Sequence, residues 1–273
     1  MPATRRLAWL AFASAGVLVL THLLRIFTEW GQRWEDDAFL EAQALSADVQ
    51  DACDALLSTL RIPTIAALVV AFLVIAAYRR QALTGLAIAF AFAGAVVSAE
   101  VLAILIPRPD LAADLTALID NDGANTFPSG HATIATALGL AFITVVAPRW
   151  RPWVAVIALA FTIAVACSTV IAGWHRPSDA VGGIALATAW LAGAASLLSR
   201  WRGVDAVPGP NRAPVTGGLI VIAASLVMTT ALALSAQGGF LVAFATAEAL
   251  VIAAAGTLPG AYAFTLQRVD FTR

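Results

Sequence analysis

Two of the three histidines in this chain stand at the mouths of long apolar runs. His131 closes Phe127-Pro128-Ser129-Gly130-His131, and the run that follows, Ala132–Ala147, reads as a membrane helix. Pro128 fixes φ just ahead of that helix, and Ser129 is a natural N-cap. Gly130 lets the backbone come close to whatever sits there. The first N–H groups of such a helix are unpaired and lie at the positive end of its dipole, which makes a seat for an anion. His131 adds a titratable proton donor beside that seat. An anion seat with an acid next to it, at a membrane surface, points to a phosphate ester carried by a lipid. His175 lies in a second polar segment, Gly173-Trp174-His175-Arg176-Pro177-Ser178-Asp179, four residues before Asp179. A third segment opens with Pro107-Arg108-Pro109-Asp110.

The elements that must position these residues follow from composition. Of 273 residues 60% are hydrophobic and only 12% are charged, with a mean hydropathy of +0.86. That lies outside the range of ordinary soluble domains. A net charge of −1 gives no basic surface for nucleic acid. The 16 basic residues are all arginine. Cys53 and Cys167 sit in unlike settings, a polar stretch and an apolar run, so no disulfide is expected. No Cys/His cluster suggests zinc.

A bilayer core takes about 20 apolar residues per helix. The run Leu7–Phe27 behind Arg5-Arg6 meets that length and is expected to remain as an uncleaved first helix. His22 within it reads as a packing or interfacial histidine. Further apolar runs are Ile62–Tyr78, Leu83–Ile106, Ala132–Ala147, Trp153–Gly173, Ala180–Leu198, Val215–Ser235 and Phe240–Phe264. The expected fold is therefore all-α, a polytopic membrane helix bundle of about eight transmembrane helices. Residues 29–61 form the most acidic stretch, with Ala42, Leu45, Val49, Ala52 and Leu56 at spacings of 3 and 4. This predicts an outer amphipathic helix on the membrane or against the bundle, with its acidic residues solvated. Residues 1–202 form the expected core, 203–214 a cytoplasmic linker, and 215–273 two additional helices with a short tail.

Arg5-Arg6, Arg79-Arg80, Arg149 with Arg151, Arg200 with Arg202 and Arg212, and Arg268 with Arg273 all fall on one side if the spans alternate. The positive-inside rule makes that side cytoplasmic. Both termini are then inside a cell membrane, and the segments around Arg108, His131 and His175 share the outer face. Two histidines, two arginines and an aspartate at the ends of apolar helices form a functional site by default.

These segments resemble the type 2 phosphatidic acid phosphatase superfamily over roughly residues 83–198. The family signature has an Arg-Pro, here Arg108-Pro109, then Pro-Ser-Gly-His, here Pro128 to His131. Its third part is a serine followed at fixed spacing by His-x3-Asp, here Ser168, His175 and Asp179. Two positions depart from it: the family lysine falls on Val101 and the third-motif arginine on Thr169.

The resemblance implies a six-helix core and a metal-independent, cofactor-free lipid phosphatase. His175 is then the nucleophile that forms a phosphohistidine, and Asp179 orients it. His131 is the acid and base, while Arg108, Ser129, Gly130 and Arg176 hold the phosphate. It implies as substrate a lipid phosphate met in the bilayer: phosphatidate, phosphatidylglycerol phosphate, or a polyprenyl phosphate or diphosphate. A lipid phosphotransferase sharing the same intermediate, and a lipid-binding or transport protein on a weakened scaffold, are the alternatives. Glu100 and Glu248, the intramembrane acids, are assigned no catalytic part.

Overall fold

A computed structural model describes residues 2–116, 125–202, 205–206, 213–235, 241–267 and 269–271. Of the linker expected at 203–214, residues 203–204 and 207–212 lie outside these, while 213–214 begin a helix. The described chain is a bundle of eleven helices: α1 (Ala3–Thr21), α2 (Glu29–Gln43), α3 (Ala47–Leu57), α4 (Ile62–Tyr78), α5 (Ala82–Leu105), the one-turn α6 (Ala113–Thr116), α7 (Gly130–Val145), α8 (Arg151–Ile171), α9 (Pro177–Arg202), α10 (Ala213–Ser235) and α11 (Val242–Leu266). A π-helical turn, His22–Ile26, extends α1. Two-residue strands β1 (Asp205–Ala206) and β2 (Val269–Asp270) pair antiparallel.

Each of the eight predicted apolar runs is a helix, so the chain is an all-α membrane bundle. Five are long and apolar enough to cross a bilayer alone: α1 with its π-turn, α5, α8, α9 and α11. α4 reaches that length only together with α3, across a 52° bend. α7 has 16 residues, or about 24 Å of rise against a hydrocarbon core of roughly 30 Å. It is also the centre of the bundle: 12 of its 16 residues are buried, between α5, α8 and α9. Helices at the rim instead turn bulky apolar side chains outward, among them Phe12, Val70, Phe90, Val97 and Ile157. Exposed tryptophans fall at both ends, Trp30 and Trp174 at one, Trp150, Trp153 and Trp201 at the other, as in the aromatic belts of membrane proteins.

At the arginine-rich end the tail is latched to the bundle. Asp270 takes Arg79 Nη2 at 3.2 Å and Gln81 Nε2 at 3.0 Å. Fully buried Arg151 donates to the carbonyls of Leu266 and Val269 and to that of Thr144 at 3.2 Å. Arg79 also donates to the carbonyls of Val145 and Val146, the open C-terminal end of α7. α11 packs on α8, α9 and α2, with Tyr262 buried and its hydroxyl 2.6 Å from Thr144 Oγ1.

The segment 29–61 differs from expectation. It is two helices, broken at Ala44–Ser46, and the acidic residues of α2 are not all solvated: Glu35 is 0% exposed and Asp36 1%. They face arginines of the bundle, which makes burial of their charge tolerable. Glu41 Oε2 accepts the N–H of Phe244 at 2.8 Å, capping the first turn of α11.

Candidate functional site

The site lies where the N-termini of α7 and α9 meet. Ser129 caps α7, its Oγ accepting the N–H of Ala132 at 3.3 Å, and Gly130 and His131 begin the helix as the sequence predicts. The Ser129 N–H donates to the carbonyl of Asp179 at 2.8 Å, tying the two helix starts together. Thr133 Oγ1 donates to Ser129 O at 2.8 Å. Such contact needs α9 to come very close. A Cβ on Gly183 would stand 2.6 Å from Ser129 O and 3.0 Å from Thr133 N, and one on Gly182 would overlap the Phe127 ring. Phe127 is joined to Pro128 by a cis peptide bond.

His175 is delivered by a tight helix ending. Gly173 takes φ +72°, and its N–H donates to Val170 O while that of Trp174 donates to Thr169 O, both at 3.0 Å. This is a Schellman ending, which demands a left-handed residue at that point. The same Thr169 carbonyl accepts the His175 N–H at 3.0 Å. Thr169, at the family's arginine position, therefore fixes the backbone of His175, while its hydroxyl donates back to Ala166 O. Arg176 is then the N-cap of α9, Pro177 its first residue and Asp179 its third. Asp179 Oδ2 accepts the Arg176 N–H at 3.0 Å, one half of a capping box.

Asp179 is fully buried. Its Oδ2 also accepts the hydroxyl of Thr126 at 2.5 Å and stands 3.5 Å from His175 Nδ1. The imidazole keeps 14% of its surface open, and its Nδ1 has no closer partner. His131 packs edge-on against Trp174, ring centroids 5.1 Å apart, and lies near enough to His175 for their charges to interact. Both imidazoles and Asp179 thus lie beside the joined starts of α7 and α9.

The arginines are less free than their types suggest. Arg108 Nη2 donates to Glu35 Oε2 at 3.2 Å, and its Nη1 is buried without a hydrogen-bond partner. Arg176 Nε donates to Asp36 Oδ1 at 2.6 Å, and its guanidinium lies 5.8 Å from the Phe39 ring centre. This arginine, a candidate phosphate ligand by sequence, is held by α2. Glu35 Oε1 accepts the N–H of Ser178, in the first turn of α9, at 3.0 Å. Burial pushes the Glu35 carboxyl above its ordinary range, and Arg108 pulls it back. Gln32, one turn before Glu35, donates to Pro109 O at 2.5 Å and accepts from the N–H of Leu111 at 2.9 Å, clamping the Arg108 segment.

Val101, at the family's lysine position, is 43% exposed on the outer face of α5. Next to it, a carboxylate oxygen of Glu100 lies 3.4 Å from where a Gly130 Cβ would stand. His22 packs on Phe127, centroids 5.2 Å apart, the packing role read from sequence, but against the segment that carries His131. Among the described residues no group of three or more His, Cys, Asp or Glu is arranged to hold a metal. Cys53 and Cys167 are free thiols.

Sequence reading missed Glu35, Asp36, Gln32, Thr126 and the Gly182-Gly183 pair. For α2 a signal existed: Gln32, Glu35, Asp36 and Phe39 recur at helical spacing, a polar stripe continuous with an apolar one. For Thr126 and the glycines there was none, because their partners are distant in sequence.

In comparison with known proteins, residues 82–202 match the family model of the PAP2 superfamily, close to the interval that carries the resemblance. No curated protein and no solved structure matches the chain.

Proposed function

Because residues 82–202 of this membrane protein match the family model of the PAP2 superfamily, we propose that it hydrolyses a phosphomonoester or diphosphate of a lipid through a phosphohistidine on His175. The observation that supports this reading most is the meeting of His131, His175 and Asp179 at the joined N-termini of α7 and α9. With Nδ1 of His175 turned to Asp179, Nε2 is left to attack phosphorus. The P–O bond to the lipid breaks as the P–N bond forms, and His131 protonates the departing oxygen. Asp179 stabilises the imidazolium that results. A water then gives its proton to His131 and attacks phosphorus, the P–N bond breaks, and phosphate leaves. Arg108, once its hold on Glu35 is given up, and the N–H groups at the start of α7 with Ser129 and Gly130 hold the phosphoryl oxygens.

The rest of the reading concerns the membrane. The site faces the extracytoplasmic side of the cell membrane, both termini are cytoplasmic, and the lipid tail stays in the bilayer. The short α7 supports this, because a 16-residue helix anchored at the arginine-rich end leaves its start below the opposite surface. The domain plan is the core of residues 1–202 with the last two helices beside it.

The test is phosphate release by the purified protein in detergent with EDTA. The substrates are a panel of phosphatidate, phosphatidylglycerol phosphate and polyprenyl phosphates, each beside His175→Ala. Release that survives EDTA and vanishes in the variant is expected, and the panel names the lipid. Release only when an acceptor alcohol is supplied would instead establish a phosphotransferase. Absence of either, with equal lipid binding by both proteins, would sink the enzyme reading.

A further inference from the structure

A helix start and an arginine make an anion seat, and in this protein one such seat is already filled. The Glu35 carboxylate takes the Ser178 N–H on one oxygen at 3.0 Å and Arg108 Nη2 on the other at 3.2 Å. These are an α9 first-turn N–H and a guanidinium, the pair of donors that would serve two oxygens of a phosphoryl group. The neighbouring Asp36 holds Arg176 at 2.6 Å in the same way. Glu35, Asp36 and Ser178 are all buried, and Gln32 fixes α2 to the chain just after Arg108. The contact is built into the packing and is not a chance surface pair. Its charge balance is unusual for a phosphate site: Arg108 and Arg176 are matched by Glu35 and Asp36, and Asp179 adds a further negative charge within electrostatic reach of Glu35. A free phosphate dianion gains little there, since it must displace a carboxylate that already has both donors.

We propose that Glu35 is a specificity-determining residue whose carboxylate competes with phosphate for Arg108 and the Ser178 N–H, so that the site admits phosphate joined to a membrane-held lipid and rejects free inorganic phosphate. The lipid ligand is concentrated at the site by its chain in the bilayer, whereas inorganic phosphate, the product of the reaction, has only its charge. The arrangement would thereby also speed product release. This inference rests on the proposed phosphatase reading for the meaning of the site, but its geometry is independent of turnover.

The experiment measures binding of radiolabelled inorganic phosphate by equilibrium dialysis, with the full-length protein in detergent, for wild type, Glu35→Gln and Glu35→Asp. Lipid phosphate hydrolysis is followed in parallel. Glu35→Gln should bind phosphate about tenfold more tightly or better, as expected when a charge-assisted competitor is removed. Glu35→Asp is one methylene shorter and cannot keep both donors at these distances, so it should show the same change in smaller measure. Structural damage would weaken binding, so tightening has no such explanation. Unchanged or weaker phosphate binding in Glu35→Gln overturns the proposal. If that variant does not fold, unchanged or weaker binding in Glu35→Asp does the same. Tightening without hydrolysis by any protein supports the proposal and sinks the phosphatase reading. Hydrolysis by the wild type with no tightening in either variant does the reverse.

Discussion

Gly183→Ala is a small change where α9 touches the first turn of α7, at the candidate site. The added methyl carbon would stand 2.6 Å from the carbonyl oxygen of Ser129 and 3.0 Å from the N–H nitrogen of Thr133. Both are backbone atoms of the first turn of α7 and cannot swing aside as a flexible side chain would. Ordinary contact begins near 3.4 Å, so α7 and α9 must part by about 0.8 Å at this level. Overpacking of this kind costs about 1–3 kcal/mol. A displacement near 1 Å at a reacting group can cost about 10²-fold in rate. Gly193→Ala, ten residues further along the same helix, is the matched control, because its new Cβ meets nothing within 4 Å. In a helix interior that exchange should stabilise by about 0.5–1 kcal/mol. The assay is thermal unfolding in detergent together with kcat/KM on the best lipid of the panel. Gly183→Ala should unfold several degrees lower and lose about 10²-fold in kcat/KM, while Gly193→Ala unfolds no lower and keeps its activity. If both variants behave alike, the close approach of α9 does not position the site.

Other changes separate the proposed catalytic end of the bundle from the rest. Asp179→Asn keeps a polar side chain in the cap of α9 but removes the charge facing His175, and kcat should fall at least 10²-fold with the helical circular dichroism unchanged. Thr126→Val removes the 2.5 Å bond to Asp179 and should cost about tenfold in kcat/KM, the worth of one hydrogen bond to a charged group. Asp270→Ala strips Arg79 and buried Arg151 of their carboxylate at the opposite end. It should lower stability by about 3 kcal/mol in urea titrations and leave KM alone. Burial raises the Glu35 carboxyl above its ordinary 4.5, so the folded protein holds that proton more readily than the unfolded chain. Compared with Glu35→Gln, the wild type should therefore be most stable below pH 4.5 and lose that advantage as pH rises through the raised value. A gap in melting temperature that widens in the other direction would contradict the burial of Glu35.

Most of the membrane helices were legible because their apolar runs end at arginine, proline or glycine and five are long enough to cross a bilayer, which sets the length that matters. The local geometry of the candidate site was legible because it is set by neighbours in sequence. Ser129 before Gly130-His131, and Gly173 two residues before His175 with Pro177 two beyond, are cap and turn signals read from neighbours in sequence. Partnerships across the fold were not. The acidic residues of α2 look like a solvated face until Arg108 and Arg176 are known to lie against them, 73 and 140 residues away. Arg176 likewise reads as a spare phosphate ligand, because its type shows no sign of its engagement with Asp36. Gly182 and Gly183 sit unremarked in an apolar run, and only the closeness of Phe127 and Ser129 gives them a purpose.

The central claim, that His175 carries the phosphoryl group, is tested most directly by trapping it. Wild type, His131→Ala and His175→Ala would be mixed with radiolabelled lipid phosphate in EDTA, quenched in alkali and mapped by mass spectrometry. The account predicts an acid-labile, alkali-stable phosphate on the peptide containing His175. It should be present in wild type, form and decay more slowly in His131→Ala, which lacks the acid of the first step and the base of the second, and be absent in His175→Ala. Phosphate release that continues in His175→Ala, with no labelled histidine in any of the three, would contradict it.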